Sequence, residues 1–130
     1  MDLGIRGLLS PGLRMIYIKN NVDETKLLEF RLRINRPPVL VYSFGERQMY
    51  SENMQDYIVK ADDIRATLDL VSNYSLYAFE NELRQGFITI KGGHRIGFAG
   101  QVVMEDGRIK TVKHISFLNI RVAHEVKGCG

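Results

Sequence analysis

Residues 86–100 read Gly-Phe-Ile-Thr-Ile-Lys-Gly-Gly-His-Arg-Ile-Gly-Phe-Ala-Gly, five glycines set among strand-forming residues. Apolar residues run on both sides of the Gly92-Gly93 pair. Two glycines between such runs predict a two-residue hairpin, because the turns that match strand twist need φ > 0 there. That loop would set Lys91 opposite His94, Thr89 opposite Ile96 and Phe87 opposite Phe98. The other face would carry Ile88 and Ile90 beside Arg95, Gly97 and Ala99, leaving room for close approach. The hairpin is expected at the centre of a sheet.

The same stretch invites comparison with a phosphate loop. Gly92 and Gly97 have the spacing of the two Walker A glycines, but Phe98-Ala99 stands where Lys-Ser or Lys-Thr is needed. Nothing is then placed to reach the β/γ-phosphates or Mg²⁺, and the stretch continues as strand rather than opening a helix. The glycines shape a fold.

The 130 residues suit one domain with a real core. A hydrophobic share of 45%, a charged share of 25% and a net charge of +3 match a globular protein without basic or acidic arms. The single cysteine, Cys129, has no internal disulfide partner. No apolar run approaches the ~18–20 residues that span a bilayer, and the first residues lack a signal-peptide pattern. A cytosolic location is expected.

In chain order, residues 1–12 are expected to be irregular, broken at Pro11-Gly12. Leu13 to Asn20 fits either a short helix or a strand. Phe30, Leu32 and Ile34 alternate with polar neighbours, a half-buried strand within residues 24–35. Arg36-Pro37-Pro38 forces an extended break. Residues 39–42 form a second strand, residues 44–47 a turn and residues 48–50 a third. Residues 51–56 are expected to be loop and residues 57–59 a short strand. Ala61 to Ser72 is a helix, with Ile64, Leu68 and Val71 on one face and Asp62 and Asp63 at its positive end. A second helix is expected between Ser75 and Gly86, burying Leu76, Phe79 and Leu83. Asp106-Gly107 predicts a further hairpin with Glu105 opposite Arg108 and Met104 opposite Ile109. A last strand, Phe117 to His124, buries Leu118, Ile120 and Val122. Strands, two helices and tight hairpins make an α+β domain: a mostly antiparallel sheet with both helices on one face.

No complete catalytic set is present, and none is assigned. His94, His114 and His124 stand twenty and ten residues apart, too far for a helical or hairpin metal site, so no metal is expected. Cys129 lies on a terminal tail that supplies no fixed electropositive surround. Asp62-Asp63 and Glu80/Glu82 read as solvated structure. The arginines hold more promise. Arg31 and Arg33 share the outward face of one strand, Arg95 follows the glycine turn, and Arg121 points outward on the last strand. Guanidinium forks match phosphate oxygens, so this set suits an anion, a nucleotide or nucleic acid. Outward strand positions also simply require polar residues, and both alternatives stay open. No aromatics interleave with these arginines as in a single-strand stacking platform.

Several blocks carry a family resemblance. Glu29-Phe30-Arg31-Leu32-Arg33-Ile34-Asn35-Arg36-Pro37 resembles the E-I-R-L-R-x-x-R-P opening of the stage III sporulation protein AA family. Tyr74-Ser75-Leu76-Tyr77-Ala78-Phe79-Glu80, Arg84-Gln85-Gly86-Phe87-Ile88-Thr89 and Gly92-Gly93-His94-Arg95-Ile96-Gly97 resemble its next blocks. Ile115-Ser116-Phe117-Leu118-Asn119-Ile120-Arg121-Val122-Ala123 and Gly128-Cys129 resemble the last ones before its ATPase domain.

The family is similar to hexameric secretion and pilus-retraction ATPases, in which a small PAS-like N-domain precedes a RecA-type ATPase domain. The resemblance implies an N-terminal extension over residues 1–26, a PAS-like N-domain over 27–126 and the start of a linker at 127–130. It implies a mother cell–forespore channel energised by ATP and Mg²⁺, with neighbouring subunits of a homo-hexamer and membrane channel proteins of the same operon as partners. The location implied is cytoplasmic, against the mother-cell side of the forespore membrane. With no P-loop here, this piece is expected to be non-catalytic and to hold no cofactor. Arg95 resembles the arginine of a G-R-F-R-V strand that reaches nucleotide phosphates, and Arg121 that of an L-R-x-I-P strand. Plant and chloroplast relatives that look to carry a single-strand-binding domain make nucleic acid at Arg31 and Arg33 the alternative. A plain assembly module is a further one.

Overall fold

The computed structural model describes residues 4–50, 57–72, 85–90, 92–106 and 108–124, with the backbone alone at 72, 101–104 and 108–115. A 3₁₀ turn (Ile5–Leu8) leads into helix α1 (Pro11–Lys19). Strands β1 (Leu27–Arg33), β2 (Val39–Tyr42) and β3 (Gly45–Gln48) follow, then helix α2 (Ala61–Ser72) and strands β4 (Phe87–Thr89), β5 (Arg95–Glu105) and β6 (Arg108–Arg121). The six strands form one sheet in the order β3-β2-β1-β6-β5-β4, antiparallel throughout. Two three-stranded meanders, β1–β3 and β4–β6, are thus joined through β1 and β6.

Strand alternation makes one face of this sheet the core. Phe30, Leu32, Leu40, Ile88, Ile96, Leu118 and Ile120 are all fully buried there. Both helices pack on that face. In α1, Leu13, Ile16 and Tyr17 are buried at the i, i+3, i+4 spacing of a helical stripe, which decides the Leu13 to Asn20 ambiguity for helix. The Tyr17 ring meets Phe30 edge-on, with centroids 5.8 Å apart. In α2, Ile64, Thr67, Leu68 and Val71 are buried, on the expected bounds and the expected face. Ile5, Leu8 and Leu9 complete the same core. The α+β class with an antiparallel sheet and two helices on one face therefore holds, with α1 and α2 as the two described helices rather than α2 and the helix expected after Ser75.

Several local expectations are corrected. Gly92-Gly93 is not a two-residue loop: Thr89 pairs with Arg95, Ile88 with Ile96 and Phe87 with Gly97. The Ile90 N–H donates to the His94 carbonyl (3.1 Å), and Gly93 N–H to the Ile90 carbonyl (3.0 Å), so the loop closes between Ile90 and His94 and is longer than two residues. Gly92 and Gly93 take φ of 98° and 88°, a region open to glycine. A one-residue slip exchanges the faces of a strand. The two-residue turn would have put Arg95 beside Ile88 and Ile90. The longer loop puts Ile96 and Phe98 there, and burial of four apolar side chains outweighs the tighter turn. Nor is this hairpin central: among the described residues β4 is an edge strand, and the middle is β1 against β6.

Pro11 opens α1 instead of breaking the chain, because a proline lacks only an N–H that the first helical turn leaves unpaired anyway. The turn into β3 is Ser43-Phe44, with Tyr42 opposite Gly45, so the third strand starts earlier than residue 48. Residues 57–59 are not a strand, although Asn35 N–H reaches the Val59 carbonyl and Val59 N–H the Arg36 carbonyl. The Asp106-Gly107 hairpin has the expected register, Met104 to Ile109 and Glu105 to Arg108, but β6 runs on without a break to Arg121. Asp63 is not merely solvated. Its carboxylate accepts from the Ser10 hydroxyl (3.1 Å), the Tyr57 hydroxyl (3.0 Å) and the Lys60 N–H (3.0 Å). This is the inward half of a capping box, closing the first turn of α2 against the chain before α1. The expected helix after Ser75, the 51–56 loop, Glu80/Glu82, Cys129 and the 127–130 segment lie outside the described residues.

Candidate functional site

The face of the sheet opposite the core carries the arginines. Because β1, β6 and β5 are neighbours in register, their outward residues form short rows across the strands. In one row Arg95 pairs with Arg121, and Arg121 with Glu29. In the next, Gly97 pairs with Asn119 and Asn119 with Arg31. In the third, Ala99 pairs with Phe117 and Phe117 with Arg33. All four sequence-predicted arginines thus stand on one face of the sheet.

The first row sets two like charges directly opposite each other, where Cβ atoms are only ~4.5–5.5 Å apart. Such a pair destabilises a sheet unless something negative stands near it. Glu29 does so on one side of Arg121. On the other side, the Arg95 guanidinium lies over the Phe87 ring, 4.0 Å from its centroid. Phe87 lies opposite Gly97, whose missing side chain leaves the ring and the guanidinium room to stack. Arg95 and Arg121 are both exposed.

Arg31 is held differently. Its Nε donates to Glu29 (3.1 Å) and one terminal nitrogen to Glu46 on β3 (2.9 Å). The hydrogen bond and charge of Glu29 push its pKa further up, so it stays a cation. No hydrogen bond or ion pair joins the side chains of Arg33, Arg36 or Arg121 to another described residue. Arg31, Arg33 and Arg36 line a cleft of about 180 Å³ over β1 to β3, with Glu46 and Gln48 on its edge-strand side. Beside Arg31, the Oδ1 of Asn119 is buried with no hydrogen-bond partner among the described residues. Sequence reasoning missed Arg36, which it read only as part of a proline break, and Glu46, which it read only as turn. A cluster of three arginines within six residues was the available signal.

The histidines do not gather. His94 is half-buried, and its Nδ1 accepts the Ala123 N–H at 3.0 Å, which requires the neutral ring. The hairpin tip therefore aims Arg95 outward but turns His94 back onto the chain leaving β6. His124 donates from Nε2 to the Leu27 carbonyl, and the His114 side chain lies outside the described ones. Among the described residues no cluster of His, Cys, Asp or Glu has a metal-holding arrangement. None of the described helices is long and apolar enough to cross a membrane.

Fold and face together define an α+β domain whose antiparallel sheet is packed on one side and presents guanidinium groups on the other. It belongs to the sporulation stage III protein AA family, whose model matches residues 3–130. A relative in that family is stage III sporulation protein AA of Bacillus subtilis (strain 168), 42% identical over 100 residues. The matched segment covers 77% of this chain and 31% of that protein, so the chain spans about a third of the relative's length. No solved structure matches the chain.

Proposed function

We propose that the chain is the non-catalytic N-terminal domain of a sporulation ATPase of the secretion type, and that Arg95 and Arg121 face the nucleotide phosphates. The observation that carries this reading is the pairing of those two arginines across β5 and β6 on an open sheet face. Two exposed cations held side by side are a poor filler and a good receptor for phosphate oxygens. In the transition state of phosphoryl transfer, charge spreads over the phosphate oxygens, and guanidinium groups brought to it lower the barrier. The chain has no Walker A lysine, so a RecA-type domain of the intact protein would hold ATP and Mg²⁺. A PAS-like domain in this position, six subunits in a ring and membrane channel proteins as partners belong to the same proposal. So does a cytoplasmic place against the mother-cell side of the forespore membrane.

The single-stranded nucleic-acid alternative draws less support. Arg31 is already paired with Glu29 and Glu46, two carboxylates that a phosphate backbone would have to pass.

The test is steady-state ATP hydrolysis by the intact protein. Arg95→Ala and Arg121→Ala should each lower kcat by about tenfold or more with an unchanged melting temperature. Residues 1–130 alone should not hydrolyse ATP. Full turnover in both variants would overturn the phosphate role.

A further inference from the structure

The cleft over β1 to β3 lies at the other side of the open face from the Arg95–Arg121 pair. Three cations line it, Arg31, Arg33 and Arg36, against one anion, Glu46. Arg31 is fixed in place by Glu29 and Glu46, which use two of its five N–H donors and leave the rest for an incoming acceptor. Arg33 and Arg36 are exposed, joined by the backbone bond from Arg36 N–H to the Arg33 carbonyl (3.2 Å). That turn brings both guanidinium groups to the same end of β1. Pro37 and Val39 add an apolar wall.

The size and the charges narrow the ligand. At about 180 Å³ the cleft is smaller than the ~300–1,000 Å³ of small-molecule pockets, and it has room for one side chain rather than a nucleotide. Glu29 and Glu46 oppose a continuous row of phosphates, whereas a single carboxylate can meet the guanidinium forks and avoid both. Beside the cleft runs β3, which supplies Glu46 and Gln48 to it. All four residues of β3 are exposed, and it is the last strand of the sheet among the described residues. An edge strand offers a row of unpaired backbone groups to an extended segment. A segment pairing there would present every second side chain to the open face.

We propose that the Arg31–Arg33–Arg36 cleft and the β3 edge together receive an extended acidic segment of a partner protein, with a glutamate or aspartate carboxylate in the cleft. This does not depend on the nucleotide role of Arg95 and Arg121.

The probe is an acetylated, amidated eight-residue peptide of alternating threonine and glutamate, titrated into isotope-labelled residues 1–130. The same peptide with glutamine for glutamate, a ten-nucleotide oligothymidylate and inorganic phosphate serve as comparisons. Saturable shifts are expected at the Nε–H signals of Arg33 and Arg36 and at the amides of Gly45, Glu46, Arg47 and Gln48. The glutamine peptide should bind at least about tenfold more weakly. Arg33→Gln with Arg36→Gln should weaken the glutamate peptide by about tenfold, and Arg6→Gln should not weaken it. Equal binding of the two peptides overturns the proposal. So does tighter binding of oligothymidylate at the same arginines. Phosphate reproducing the arginine shifts at equal concentration, with no peptide-induced shift along β3, would reduce the cleft to a general anion site and also overturn it. The comparison of peptides on the unaltered chain keeps the test decisive even if the double variant unfolds.

Discussion

Phe30 and Arg31 are neighbours on β1 and point to opposite faces of the sheet. Phe30 is fully buried against Tyr17 and pairs with Leu40 on one side and Ile120 on the other. Arg31 is about one-third exposed and is tied to two carboxylates. The difference teaches how the two faces are specified. The core face needs apolar residues at every second position, and their burial selects the register. The open face has meaning only through which residue stands beside which, and one slip in register would scatter the arginines.

Substitution at these two neighbours is the largest way to sharpen the contrast. Phe30→Ala should cost about 3–5 kcal/mol, read as a lower urea midpoint, because a large buried ring is removed. Arg31→Ala should cost under about 1 kcal/mol in the same measurement, since surface ion pairs contribute little. Comparable losses would break the division between a structural and a functional face.

A smaller effect is expected where α2 is clamped to the chain before α1. Asp63→Ala removes the acceptor for Ser10, Tyr57 and the Lys60 N–H. A loss of about 1–2 kcal/mol is expected, with Ser10 left buried and short of a partner. Unchanged chemical unfolding would show that the clamp is incidental to the core side.

The smallest effect separates the faces by pH. Burial, and then the hydrogen bond to Asp63, pushes Tyr57 up to about 12, and burial with Glu24 also pushes Tyr17 upward. The fold therefore favours the neutral phenols. Their contribution is fully present below the ordinary tyrosine pKa of ~10 and is lost as pH rises beyond it, Tyr57's by about pH 12. Arg31 on the open face, its pKa pushed further up by Glu29, keeps its charge over that range. The denaturant midpoint should fall between pH 10 and 12, and less steeply in Tyr57→Phe. An equal slope in the variant would remove Tyr57 from the account.

Much of the scaffold was legible from residues. The bounds of α2 followed from Ile64, Leu68 and Val71 with two acids at the start, a long periodic pattern with little ambiguity. The Asp106-Gly107 register followed because that dipeptide suits one tight turn. Gly92-Gly93 misled, because two glycines mark a turn without saying where it begins. Leu13 to Asn20 was undecided until Leu13, Ile16 and Tyr17 met one core. The arginines were legible as candidates, but not their company.

What the sequence determined by itself was the alternation that buries Phe30, Leu32, Leu118 and Ile120, together with the chemistry of the outward residues. Side-chain period is a local property of a strand, so it can be read without knowing the neighbour. Only the tertiary structure decided that Arg95 stands opposite Arg121, that Glu46 reaches Arg31, and that the glycine hairpin lies at an edge. Those facts depend on pairing between distant segments, where the gain from burying Ile88, Ile90, Ile96 and Phe98 together chose the register over the shorter turn.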